Sequence, residues 1–111
     1  ARNFINQYFS KPQISYIKID SEFLSKKYEV TLTDRTEIDF DKKGNWTEVD
    51  CKKGAVPAAL IPVSIKDYVK KNFPNEIITK IERKGTGIEV ELANDFSLKF
   101  NKKGQFVSMD D

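Results

Sequence analysis

At 111 residues, with 39% hydrophobic and 32% charged positions, the chain has the composition of one folded domain and not of a disordered segment. Its 19 basic and 17 acidic residues leave a formal charge of +2, too even to mark a nucleic-acid or membrane-surface protein. No apolar run reaches the roughly 18–20 residues that cross a bilayer, the single cysteine (Cys51) excludes an internal disulfide, and the lack of histidine excludes Ser-His-Asp, Cys-His and histidine-metal chemistry.

The chain opens on Ala1-Arg2-Asn3-Phe4, without an initiator Met, which leads us to expect a removed signal peptide and an exported, periplasmic or secreted protein. Phe4, Ile5, Tyr8 and Phe9 have helical spacing, predicting a helix that ends near Ser10. From Tyr16 the period changes to two. Ile17 and Ile19, then Tyr28, Val30 and Leu32, then Ile38 and Phe40 alternate with polar residues, the pattern of strands with one face buried. Asp34 suits a tight hairpin turn after Leu32, and Asp41-Lys42-Lys43-Gly44 suits a turn closed by a left-handed Gly and a bulge. Residues 52–61 read as a linker. Pro62 then opens a helix whose apolar face is Ile65, Tyr68, Val69 and Phe73, and Pro74 stops it. Strands follow at Ile78–Glu82, Ile88–Leu92, Leu98–Phe100 and Val107–Met109, with turns at Asn94 and at Asn101-Lys102-Lys103-Gly104.

The two halves match at an offset of 60. Between 28–50 and 88–110, eight positions are identical without a gap: Glu29/Glu89, Val30/Val90, Leu32/Leu92, Phe40/Phe100, Lys42/Lys102, Lys43/Lys103, Gly44/Gly104 and Asp50/Asp110. The match predicts a single α+β domain, 1–111, made of two repeats (1–51 and 62–111). Each repeat would be a helix plus four antiparallel strands, and together they would form one continuous antiparallel sheet with both helices packed on one face.

Asn72-Phe73-Pro74 at a helix end, Ile78-x-Lys80-Ile81-Glu82, Ile88-Glu89-Val90-Glu91-Leu92 and Phe100-Asn101-Lys102-Lys103-Gly104-Gln105-Phe106 resemble the PepSY-like, beta-lactamase-inhibitor-like periplasmic proteins of Bacteroides-type bacteria. The resemblance covers nearly the whole chain. It implies an exported protein with helices on one face of a two-repeat sheet, and a family name borrowed from inhibitors that bind an enzyme on the open sheet face. No catalytic residue is carried over with it. The first half departs from the pattern in its longer connection at 21–27.

No Cys-x-x-Cys, phosphate loop or dinucleotide fingerprint occurs, so no cofactor and no enzymatic activity are expected. Asp39, Asp41 and Gly44 fall at positions one, three and six of a calcium-loop spacing, with Asp50 at twelve. Lys43 at position five and flanking strands in place of helices favour a hairpin turn instead. Asp39, Asp41, Asp110 and Asp111 remain weak calcium candidates. Strand alternation points Tyr16, Trp46, Ile78 and Phe106 away from the core, as large apolar residues on an otherwise polar face and candidates for contacting a protein or peptide. A bulge after Gly44 and after Gly104 would reverse the facing of Trp46 and Phe106. The expectation is an exported, non-enzymatic domain that recognises a protein or peptide through the open sheet face, inhibitor-like or regulatory. The alternative is a domain sensing a small ligand or calcium.

Overall fold

The alternating segments form two antiparallel meanders, one in each of two compact units, Ala1–Asp50 and Cys51–Asp111. The computed structural model describes residues 4, 5, 7, 14–22, 25–52 and 54–110, with the side chains of 14–27 outside the description.

The first unit contains β1 (Ile14–Glu22), β2 (Ser25–Leu32), β3 (Glu37–Phe40) and β4 (Trp46–Asp50), each paired antiparallel with the next. Val30, Leu32, Ile38, Phe40 and Val49 are buried and make its core. Each contributes on the order of 1.5–3 kcal/mol through removal of its side chain from water. Phe4 meets Phe40 edge to face at 5.6 Å, and Ile5 is buried.

The second unit begins with a short 3-10 turn, Ala58–Leu60, and a helix, α1 (Val63–Asn72). It continues as β5 (Ile78–Lys84), β6 (Gly87–Leu92), β7 (Ser97–Asn101) and β8 (Phe106–Asp110), again paired in sequence order. Pro62 supplies the N-cap of α1 and accepts through its carbonyl from the N–H groups of Ile65 and Lys66. The Phe73 N–H closes the last turn on the Val69 carbonyl, and Pro74 cannot continue it. Ile65 and Val69 are the buried residues of α1, and they belong to the same core as Ile81, Val90, Leu92, Leu98 and Phe100. Tyr68 stacks on Phe106 (4.7 Å, 10° between planes) and meets Phe100 edge to face at 5.5 Å. Cys51 is buried and its N–H donates to the Thr79 carbonyl.

The two-helix tandem duplication expected from the sequence is corrected by this architecture. Among the described residues one α-helix is bounded, α1. Phe4, Ile5 and Gln7 have helical backbone, while Tyr8, Phe9 and Ser10 lie outside the described residues. The packing of two helices on one face of a continuous sheet falls with that expectation. The physical reason lies in where the sequence match sits. Its identical positions are strand and turn residues, which specify hairpin register. A helix depends on its own nucleated run and its own caps, and the register of distant hairpins carries no information about either.

The hairpins themselves agree closely. Val30 lies opposite Ile38 and Val90 opposite Leu98. Phe40 lies opposite Trp46 and Phe100 opposite Phe106, each beside a register shift. Arg35 and Asp95 take positive φ (76° and 72°) in matching turns, where Asp34 Oδ1 and Asn94 Oδ1 accept from the N–H groups of Thr36 and Phe96. Gly44 and Gly104 take φ of 88° and 80° in the following turns, a conformation that glycine adopts without steric cost. In those turns Asp41 Oδ1 accepts from Lys43 and Asn45 N–H, and Asn101 Oδ1 accepts from Lys103 and Gln105 N–H, all at 2.9–3.0 Å.

Two outcomes follow from these backbones. Gly87 has φ 152°, and a Cβ there would overlap the Phe100 carbonyl oxygen and press on the Asn101 backbone. Gly87→Ala should lower stability by about 2–4 kcal/mol, from backbone strain and overpacking together. Gly85→Ala, which meets nothing within 4 Å, should change it little, and urea unfolding of both variants measures the contrast. The second outcome concerns Asp41. The N–H of Asn45, helped by that of Lys43, holds its carboxyl below the ordinary value of 3.8. The folded value lies below the unfolded one, so this stabilisation is present above about pH 4 and is lost as pH falls through the lowered value. Asp41→Asn should keep the turn, because Asn101 already performs the same role, and should flatten the acid-side fall in the urea midpoint. An unchanged pH profile would contradict the assignment.

Candidate functional site

In an antiparallel pair, directly opposed residues share a face, with Cβ atoms about 4.5–5.5 Å apart. The registers of the first unit therefore align its polar residues in rows. Glu29 lies opposite Asp39, and Asp39 opposite Glu48. One row along, Thr31 lies opposite Glu37, and Glu37 opposite Asp50. All six are half-buried, whereas the residues that alternate with them are the buried core. Five carboxylates thus share one face of three neighbouring strands. Glu37, Asp39, Glu48 and Asp50 also take part in interactions within the chain.

The corresponding face of the second unit is mixed in charge. Its rows run Glu82, Glu89, Lys99, Ser108 and Lys80, Glu91, Ser97, Asp110. Lys84 Nζ lies 2.8 Å from Glu89 and 3.9 Å from Glu82, and Lys99 Nζ lies 3.7 Å from Asp110. Where the second unit has Ser97, Lys99 and Ser108, the first has Glu37, Asp39 and Glu48 at the equivalent register. Over four strands each, the first unit sets five carboxylates with Lys18 at a register position in these rows and the second sets four carboxylates with Lys80 and Lys99, so the acidic excess is greater in the first unit and is hidden in the near-neutral total.

The aromatic and apolar candidates are placed differently from their expected facing. Trp46, half-buried, lies opposite the core residue Phe40, and Phe106 lies opposite the core residue Phe100 and stacks on Tyr68 of α1. The register shifts at Asp39/Phe40 and Lys99/Phe100 turn both residues to the core side, as a bulge after each Gly would. Ile78 is buried opposite Leu92, beside a third shift at Ile78/Lys80. It forms part of the wall of a shallow cavity of about 260 Å³ with Val56, Ile61, Val69 and Phe73. Tyr16 lies opposite Thr31, at a register position on the polar face, and its side chain is outside the description. The structure does not gather Trp46, Ile78 and Phe106 on an open face.

Of the calcium candidates, Asp39 stands in the central acidic row and Asp41 is committed to its turn. Asp110 is exposed and paired with Lys99, and Asp111 lies outside the described residues. Among the described residues no group of three or more carboxylate, Cys or His side chains is arranged to hold a metal ion. Among them, too, no helix is long and apolar enough to cross a membrane.

Comparison with known proteins places this arrangement. The family model described as "Putative beta-lactamase-inhibitor-like, PepSY-like" matches residues 26–108. A solved structure of a "putative calcium-regulated periplasmic protein" from Bacteroides thetaiotaomicron is 45% identical with a TM-score of 0.96, over 100% of this chain and 87% of that one. A "putative periplasmic protein of unknown function" from Bacteroides vulgatus is 38% identical with a TM-score of 0.96, over 100% and 89%. A further putative periplasmic protein from the same species is 37% identical with a TM-score of 0.94, over 99% and 87%. None of the curated proteins compared matches the chain. These relatives support a periplasmic location, and none of them is described as an enzyme. The chain belongs to the PepSY-like, beta-lactamase-inhibitor-like family.

Proposed function

We propose that the chain is a non-enzymatic exported domain that recognises a protein or peptide through the open sheet face of its first unit, in an inhibitor-like or regulatory role. The observation that carries this reading is the pair of cross-strand rows Glu29, Asp39, Glu48 and Glu37, Asp50. Like charges placed directly opposite one another are unfavourable in a sheet. A rigid strand surface that concentrates them presents a preformed field to a basic partner, raising its encounter rate and selecting against acidic ones. An extended lysine- or arginine-bearing segment lying across the strands would place its cations over successive carboxylates. The reading keeps the open face as the contact surface and replaces aromatic anchors by charge.

Fluorescence anisotropy with a labelled oligolysine peptide tests it. Wild type should bind with an affinity that falls steeply with salt. The triple variant Glu29→Gln, Asp39→Asn, Glu48→Gln should lose about tenfold or more in affinity, equivalent to about 1.4 kcal/mol. Neutralising Glu82, Glu89 and Glu91 in the second unit should matter much less. Equal losses from both triples would reject the first unit as the site.

The second reading is calcium sensing, favoured by the description of the Bacteroides thetaiotaomicron relative as calcium-regulated. Of the four calcium candidates, Asp39 is the one that stands on the open face, and the reading is tested there. A rise in melting temperature with calcium chloride that magnesium chloride does not reproduce, and that Asp39→Asn removes, supports this reading. Equal responses to the two salts oppose it.

A further inference from the structure

The shallow cavity of about 260 Å³ lies wholly within the second unit, between α1 and the chain on either side of it. Its floor is apolar, because Val56, Ile61, Val69 and Ile78 are all buried and meet there. Ile77 stands at its mouth with 44% of its surface exposed. An exposed isoleucine at the rim of an apolar hollow is surface that an apolar occupant would remove from water. The volume falls just under the roughly 300–1,000 Å³ of sites that take a drug-sized molecule, which limits that occupant to a short chain.

Charge decides the rest of its chemistry. Lys66, Val69, Lys70 and Phe73 recur at helical spacing, so one stripe of α1, about 10 Å long, forms a wall of the cavity. A lysine in an apolar wall lays its methylene stem along that wall and keeps its ammonium group in water at the margin. Lys66 is half-buried and Lys70 exposed, as that placement requires. Neither lysine forms an ion pair among the described residues, and neither does Glu76, the one carboxylate of the lining. The margin therefore holds two cations against one anion. A neutral apolar occupant would leave both ammonium groups unanswered, and a cationic one would meet net repulsion. An apolar tail with a single anionic head complements the floor and the margin together.

We propose that this cavity binds a free single-chain carboxylate, with its alkyl tail along Val56, Ile61, Val69 and Ile78 and its head at Lys66 and Lys70. The site gives the second unit a small-molecule ligand of its own. It stands or falls independently of the acidic face of the first unit.

Calorimetric titration of the intact chain with octanoate, read together with amide NMR shifts, tests the proposal. Octanoate should bind with a Kd below about 1 mM and shift the amides of Val56, Val69, Phe73 and Ile77. Octanol and butyrate, each lacking one half of the ligand, should bind about fivefold or more weakly, and octylamine more weakly still. Lys66→Gln with Lys70→Gln should weaken octanoate binding about fivefold or more and leave octanol binding unchanged. Ala58→Phe, at an exposed position of the lining, should fill the cavity and abolish octanoate binding, with an unchanged circular dichroism spectrum. Absence of octanoate binding at about 1 mM overturns the proposal, as do amide shifts confined to other residues. Octanol or octylamine binding as tightly as octanoate overturns it too, and so does full octanoate affinity in either variant.

Discussion

An extended strand shows its side chains to opposite faces in strict alternation, so one inserted residue transfers everything beyond it to the other side. Four such shifts punctuate the two meanders, at Ile14/Tyr16, Asp39/Phe40, Ile78/Lys80 and Lys99/Phe100. They determine which residues make the core, which make the outer face and which reach the helix. Without the shift beside Phe100, Phe106 would not stack on Tyr68, and the aromatic contact that ties α1 to the end of its sheet would be lost.

Much of this was legible in the residues. Period-two alternation located the buried strand positions Val30, Leu32, Ile38, Val90, Leu92 and Leu98, and Pro62 with Pro74 bracketed α1. Asp34 and Asn94, then Gly44 and Gly104, marked their turns because each has a specific hydrogen-bond or φ requirement. Residue facing beyond a bulge was not legible by simple alternation, since a bulge breaks the count on which alternation rests. Ile78, Trp46 and Phe106 were misassigned to the open face for that reason. The two-helix expectation failed on a different ground, because similarity among turn and strand residues was extended to a segment that the matched positions do not include.

The acidic rows were within reach of the sequence. Glu29, Glu37, Asp39 and Glu48 are evident as polar alternates on three strands. Only the register set by the turn after Leu32 and the turn after Phe40 stacks them beside one another. Net charge concealed the same feature, because a total of +2 averages an acidic face with lysine-rich turns. Two meanders whose last three strands share a register thus present different electrostatic surfaces, chiefly through Glu37, Asp39 and Glu48 against Ser97, Lys99 and Ser108. The backbone scaffold and the charge of its outer face can therefore vary independently.

The burial of Cys51 has a consequence for the chemistry of the folded chain. In an oxidising compartment an accessible thiol exchanges with disulfides and becomes trapped in mixed adducts. Cys51 lies beneath the surface, its backbone held by the Thr79 carbonyl, at the start of the second unit. Once folded, the thiol is withdrawn from oxidants and from thiol-exchange partners. With its one thiol buried, the folded chain offers oxidants and disulfide-exchange partners little access.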